Sequence, residues 1–331
     1  MPPDRAAERK IERPAGVYSV PSFLAGRNPG GRGESASVVV IQHTYLGNYP
    51  KERQDDWTSE CQGVSHDANN WFITQKGSVW RVPLEKDLRD HLQDGVDGVR
   101  RRPIPLSGYD HFGDPDVHRG TLYIPLEGKR RIFPFVTVPR VPRIAAFRTN
   151  DLHFLWSAPL PKQQKAGWCA IDSKGVLLSS NSWVTPRDKK GEGPLFRYRI
   201  ERTTLKFLDR VVLRDEQGTP VVLNSMQGGT FADDHHLYIS CGYVDDPHPS
   251  WGIHLFDIRT QRRIVRSTNG SGSFNYEFHT DDDEEPEGLT YWDLDGRKVP
   301  GIEGQLHAVL LDNDTWSDDD VYLKHYRVRG L

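Results

Sequence analysis

Residues 226–240 read MQGGTFADDHHLYIS: a polar opener around Gly228, a short apolar strand, an Asp-rich turn, then a second apolar strand. The same grammar recurs four more times, as CQGVSHDANNWFIT from Cys61, FGDPDVHRGTLYIP from Phe112, AGWCAIDSKGVLLSS from Ala166 and PEGLTYWDLDG from Pro286. The last copy is completed after an insertion by GQLHAVLLDN. The opener glycines Gly63, Gly113, Gly167, Gly228 and Gly288 are separated by 50, 54, 61 and 60 residues. That period suits one four-stranded propeller blade with its loops.

The rest of each unit follows the pattern. Third strands are read in VWRVPLEKDL, PLFRYRIERTTL, GIHLFDIRTQRRI and VYLKHYRV, and a fourth in LKFLDRVVL after Thr204. In the third of these, Leu255 and Asp257 alternate with Phe256 and Ile258, the period of a strand with one dry face. The final unit has three clear strands, while SVVVIQHTYLGN from Ser37 stands alone before the first. It is expected to supply the missing strand and close the ring, which removes free sheet edges. The fold expected is therefore an all-β propeller of about five four-stranded blades. A count of six stays open, because Arg131–Trp156 has room for further strands, and an irregular sandwich is the rival architecture. KDLRDHL near Asp87 has room for a turn or two of helix. Residues 1–35, rich in Pro, Gly and charge, read as a loosely packed arm, and residues 36–331 as one domain.

Composition narrows the partners. Among 331 residues there are nine Trp, 30 Gly and 23 Pro, a mixture of bulky core and frequent turns that favours strands over helices. The net charge of −3 predicts neither nucleic acid nor anionic membrane as a partner, and the basic clusters at Arg100–Pro103 and Lys129–Arg131 read as solvated turns. There is no apolar leader and no long apolar run, so a cytoplasmic, monomeric protein is expected. Cys61, Cys169 and Cys241 are odd in number and widely spaced, which reads as buried free thiols.

EPEGLTYWDLDG, residues 285–296, resembles the EPEGL-type opener of phytase-like and SdiA-regulated-type bacterial propellers. The likeness is strong in this opener and loose in the other four. It implies a propeller. Phytase-like members bind calcium through many carboxylates, and here the matching positions are Glu285 and Glu287.

In a propeller the openers of the innermost strands gather at one end of the axis. Candidate ligand-binding residues are accordingly Gln62, Asp116, Trp168, Asn224, Gln227, Glu285 and, through the closing strand, His43. Asp114 and Glu287, with His111, are candidate acid–base groups for a hydrolase or lyase. Asp114, Glu287 and Asp312 are candidate calcium ligands, with Gln62 and Gln227 as neutral oxygens. The acidic runs at Asp281–Glu287 and Asp312–Asp320 lack the Gly and distant Glu of an EF-hand and read as solvated loops. His235 and His236 are expected to point to opposite sides of their turn, and His111 with His118 and His248 with His254 show no zinc spacing. Trp57, Trp183, Trp251 and Trp316, among polar loop residues, are candidates for stacking a sugar. No nucleophile elbow or phosphate loop is present. The function expected is binding of a small polar or sugar-like ligand at the channel mouth, with a cation as an option. The alternatives are the hydrolase or lyase, and a protein-interaction scaffold acting through the rims.

Overall fold

Asp residues at fixed places set the inner hairpins. Asp67 Oδ1 accepts the N–H groups of Asn69 and Asn70, both at 2.8 Å, and Asp233 Oδ1 those of His235 and His236, both at 2.9 Å. Asp172 does the same for Lys174 and Val176. Each carboxylate folds the chain back between two apolar segments, as the repeated turn requires. In the second unit Arg119 and Gly120 turn the chain with positive φ instead.

The computed structural model describes residues 40–54, 56–133, 136–181, 194–242, 251–268, 272–276, 284–312 and 319–331. The expected arm at 1–35 lies outside them. Strand β1 is Gln42–Asn48. Blade 1 is β2 (Cys61–His66), β3 (Asn70–Gln75), β4 (Ser78–Pro83) and β5 (Arg100–Pro103). Blade 2 has a split inner strand, β6 (His111–Phe112) and β7 (Asp116–His118), followed by β8 (Thr121–Glu127). A separate two-stranded hairpin, β9 (Lys129–Phe133) and β10 (Val136–Pro139), then leaves the blade before β11 (Arg143–Arg148) and β12 (Phe154–Pro159) complete it. Blade 3 is β13 (Cys169–Ile171), β14 (Val176–Ser180), β15 (Leu195–Glu201) and β16 (Thr204–Val211). Blade 4 is β17 (Met226–Phe231), β18 (His236–Cys241), β19 (Gly252–Asp257) and β20 (Arg262–Arg266). Blade 5 is β21 (Glu284–Tyr291), β22 (Leu306–Asp312) and β23 (Asp320–Arg329), with β1 as its outer strand, Gln42 opposite Arg329 and Asn48 opposite Lys324.

The protein is thus a five-bladed β-propeller whose ring is closed by its N-terminal strand. Arg131–Trp156 contains the β9–β10 hairpin rather than a sixth blade. The KDLRDHL segment is a series of turns, and no helix occurs among the described residues.

Five apolar clusters hold the ring together, one at each seam between blades. Trp71 and Trp80 of blade 1 meet Val309 and Leu323 of blade 5, and Leu178 of blade 3 meets Leu237 and Phe256 of blade 4. Because every blade lies between two others, both sheet faces are dry. Leu255 packs in the seam between blades 4 and 5 and Phe256 in the seam between blades 3 and 4, so β19 is not the one-faced strand its alternation suggested. Cys61, Cys169 and Cys241 are buried free thiols in these seams.

Candidate functional site

The inner strands β2, β7, β13, β17 and β21 touch in that order around the axis, and β21 returns to β2. They approach so closely that side chains do not fit at the opener glycines. A Cβ on Gly63 would lie 2.4 Å from the Asp114 Cα, and one on Gly288 2.0 Å from Asp114 Oδ1. The glycines of the repeat are therefore the places where the blades converge.

At this layer Asp114 closes the axis. Its Oδ1 accepts the N–H of Val64 on blade 1 at 3.0 Å, and its Oδ2 those of Gly229 on blade 4 at 3.0 Å and Leu289 on blade 5 at 3.4 Å. Its own backbone bonds to Gly167 and Cys169 at blade 3. One residue of blade 2 thus bonds to all four other blades. Its exposure is 0%. Burial raises its carboxyl well above the ordinary value, opposed by the three N–H donors. Both oxygens are engaged by backbone donors and sealed from solvent, so Asp114 is a structural hub rather than an accessible acid or cation ligand.

The site lies above this plug. On β2, β17 and β21 the pairing register slips at the opener, between Cys61 and Gly63, between Met226 and Gly228, and between Pro286 and Leu289. Gln62, Gln227 and Glu287 are the residues at the slips, each directly before an opener glycine. A bulge re-aims its side chain, and here three equivalent bulges turn three polar side chains together. Gln62 Nε2 reaches Glu287 Oε1 at 3.4 Å, and Gln227 Nε2 reaches Glu287 Oε1 and Glu285 Oε2 at 3.3 Å each. At the same position blades 2 and 3 carry Phe112 and Ala166, which are buried.

Gln62, Gln227 and Glu285 edge a cavity of about 360 Å³, and the Glu287 carboxyl is held behind them by the two amides. Gln62, His111, Gln227 and Glu285 line it. So do Glu60 and Lys76 from blade 1, Asp110, Glu127, Lys129 and Arg140 from blade 2 and its hairpin, and Gln164 and Lys165 before blade 3. Lys76 pairs with Glu60 at 2.5 Å, and Glu127 Oε1 accepts the Ala166 N–H at 2.6 Å, tying two blades at the rim. Burial lowers the His111 imidazole below its ordinary value. Glu287 is 3% exposed. Burial, then the charge of Glu285 and a hydrogen bond between the two carboxyls, hold it well above the usual carboxylate range. Both effects favour the protonated form of Glu287.

Other expected site residues lie elsewhere. Trp168 is fully buried at the seam between blades 3 and 4, where its indole N–H donates to Ser180 Oγ at 2.7 Å and its ring leaves no room for a Cβ on Gly229. Asp116 lies below the plug and accepts the N–H groups of Val117 and Ile171, and burial pushes its carboxyl up to about 7. His43, on the outer strand of blade 5, stacks on Phe274 and bonds the Tyr238 hydroxyl at 2.7 Å, because closing the ring places β1 farthest from the axis. Asn224 and Asp312 are not among the residues that line the cavity, Asp312 following the lining residue Leu311 at the end of β22. Trp57 is core, Trp251 is half-buried, and Trp183, Trp316, His248 and Asp281 lie outside the described residues.

His235 and His236 do not point apart. Their rings are 4.3 Å from each other, and with Asp233 they offer donor atoms within 4.8 Å. The same Asp turn occurs on blades 1 and 3 with no histidine, so closing the hairpin accounts for Asp233. A cation at the mouth would draw on Glu285 and Glu287 with the amide oxygens of Gln62 and Gln227 turned inward. Asp114 and Asp312 are not placed to join them.

The lining groups missed in the sequence, Glu60, Asp110 and Lys165, stand one or two residues before the openers. Lys76 and Glu127 end second strands, which return to the same rim. Extending each opener by two residues toward the N-terminus would have found the first set.

No family model and no curated relative matches the chain, those of phytase-like or SdiA-regulated-type propellers included. Among solved structures, the glutaminyl cyclase of Myxococcus xanthus is 10% identical, with 86% of this chain and 97% of that chain covered and a TM-score of 0.51. A Bacteroides caccae protein of unknown function is 12% identical, with 87% and 98% covered and a TM-score of 0.42. AztD of Citrobacter koseri is 11% identical, with 65% and 48% covered and a TM-score of 0.32. The Myxococcus likeness supports the propeller fold.

Proposed function

We propose that the mouth binds a small polar ligand bearing an amine or amide, and that Glu287 and Glu285 move a proton on it. The carrying observation is Glu287, a buried carboxyl held above the usual range beside a second carboxyl, Glu285, that lines the cavity. Paired groups whose environments separate their proton affinities suit general acid–base work. Glu287 donates and Glu285 accepts, while Gln62 and Gln227 fix the pair. His111, neutral at the wall, is a further acceptor, and Asp114 supports the floor from beneath. A sugar fits less well, because no Trp, Tyr or Phe is among the described lining residues.

A glutaminyl group has the required chemistry. Its amide carbonyl would accept from Glu287 and its amine would give a proton to Glu285. Ring closure would form one C–N bond, break another and release ammonia. The Myxococcus protein is named for this activity, so a glutaminyl dipeptide is the first compound to test. Calorimetry and ammonia release are measured on the parent and on Glu287→Gln. The reading expects binding in both and turnover in the parent alone. Binding without turnover in the parent would assign a binding protein. A parent that binds no amine or amide would overturn the reading.

A further inference from the structure

The β9–β10 hairpin interrupts blade 2 between its second and third strands, at the rim of the mouth. Its root is fixed. A Cβ on Gly128 would lie 2.3 Å from the Gly108 carbonyl oxygen, and the Tyr109 hydroxyl donates to Val141 O at 3.0 Å. Beyond the root it stands clear of the body. Lys129, Arg130, Arg131 and Ile132 on β9 are all exposed. The Lys129–Arg131 cluster, expected to be a solvated turn, is thus a strand paired only with β10.

Two properties coincide here. Residues 128–143 contain five cations and no acid, in a chain whose net charge is −3. Ile132, Val136 and Val141 are 49%, 47% and 57% exposed, three of the seven large apolar side chains left exposed among the described residues. Isolated charges need no apolar neighbours to stay soluble, and an apolar patch on a protruding ribbon invites a partner. The hairpin belongs to a two-stranded sheet, so its outer edges offer unpaired backbone groups to an extended chain.

We infer that this hairpin docks an extended acidic peptide whose end is delivered to the mouth. Lys129 and Arg140 belong both to the hairpin and to the cavity wall, so the two surfaces are continuous. A strand as long as β9 pairs with about five residues of peptide. A peptide fits better than a nucleic acid. Glu60, Asp110, Glu127 and Glu285 line the cavity at the hairpin's root, where they attract the cationic amino terminus of a peptide whose acidic side chains stay on the hairpin, and repel a polyanion's phosphates. Delivery to the mouth rests on the proposed function, but docking on the hairpin does not.

The test is fluorescence anisotropy on the whole protein. The probes are a labelled octapeptide alternating glutamate and valine, its lysine–valine counterpart, and a single-stranded oligonucleotide of similar length. The glutamate peptide should bind and weaken about tenfold between about 50 mM and 300 mM salt. Arg130→Glu with Arg131→Glu should weaken it about tenfold or more, and Ile132→Ser about threefold with an unchanged salt slope. Glu287→Gln should leave docking intact, so a failed mouth reading is separable from failed docking. Equal binding by the charge-reversed protein, or preference for the lysine peptide or the oligonucleotide, would overturn the proposal. The substituted side chains are exposed, and Ile132→Ser alone keeps the test decisive if the double variant does not fold.

Discussion

Asp114 and Gly229 lie 115 residues apart and are joined at 3.0 Å, the Gly229 N–H donating to the Asp114 carboxyl across the propeller axis. This bond, with those to Val64 and Leu289, makes one carboxyl the fastener of blades 1, 2, 4 and 5. It also closes the channel, so the mouth is a blind cavity with a defined floor.

Asp114→Ala should therefore destabilise the whole ring. Three buried N–H groups lose their acceptor, at a cost of about 4 kcal/mol, and Asp114→Asn should lose about half as much. Chemical denaturation measures both. An Asp114→Ala protein with unchanged stability would refute the hub.

Gly288→Ala should abolish soluble expression, because the added methyl meets Asp114 Oδ1 at 2.0 Å and neither partner has room to yield. Gly77→Ala, where nothing lies within 4 Å, is the matched control and should express normally. Equal soluble yields of the two would show that the opener glycines are not required by close approach.

Turnover at the mouth should depend on Glu287 as an acid. Its carboxyl is held above the usual range by burial and by Glu285, so the protonated form persists above the ordinary carboxylate range and is lost as pH rises through the raised value. The rate should fall on the alkaline side, and Glu287→Gln should remove that limb together with the activity. A rate flat across alkaline pH would count against this assignment.

Acid stability should change at His43. Burial lowers its imidazole from 6.5 to about 3 in the folded protein. The unfolded chain binds a proton below pH 6.5 that the folded chain refuses, so stability is complete above pH 6.5 and is lost as pH falls toward 3. The loss reaches about 5 kcal/mol at the acid end. His43→Gln should flatten this decline. Asp116, raised to about 7, contributes with opposite sign, and comparing variant with parent cancels it. Parallel curves for the two proteins would contradict the prediction.

A calcium ion at the mouth would need Glu287 ionised. Stabilisation by added calcium should therefore grow as pH rises through the raised Glu287 value and vanish with chelator. A thermal shift of zero at every pH removes the cation reading.

The blade repeat was legible because turns and strand burial are local. The Asp67, Asp172 and Asp233 turns, the opener glycines and the orphan strand from Ser37 can each be read from a few adjacent residues, and together they point to about five blades and a closed ring, while the structure excludes the sixth. Gln62, Gln227 and Glu287 were legible as a set for the same reason, since each precedes an opener glycine. What the sequence left open was the depth and direction of each side chain. Asp114 and Glu287 look alike as acids beside a glycine, but one follows its glycine and is sealed by backbone donors from three blades, while the other precedes its glycine at a bulge and bonds the amides of Gln62 and Gln227 that line the cavity. His43, Trp168 and Asp116 were drawn to the mouth by their place in the repeat and removed from it by the packing of neighbouring blades. Only the assembled ring decides such matters, because contacts around an axis join residues whose separation along the chain exceeds any local pattern.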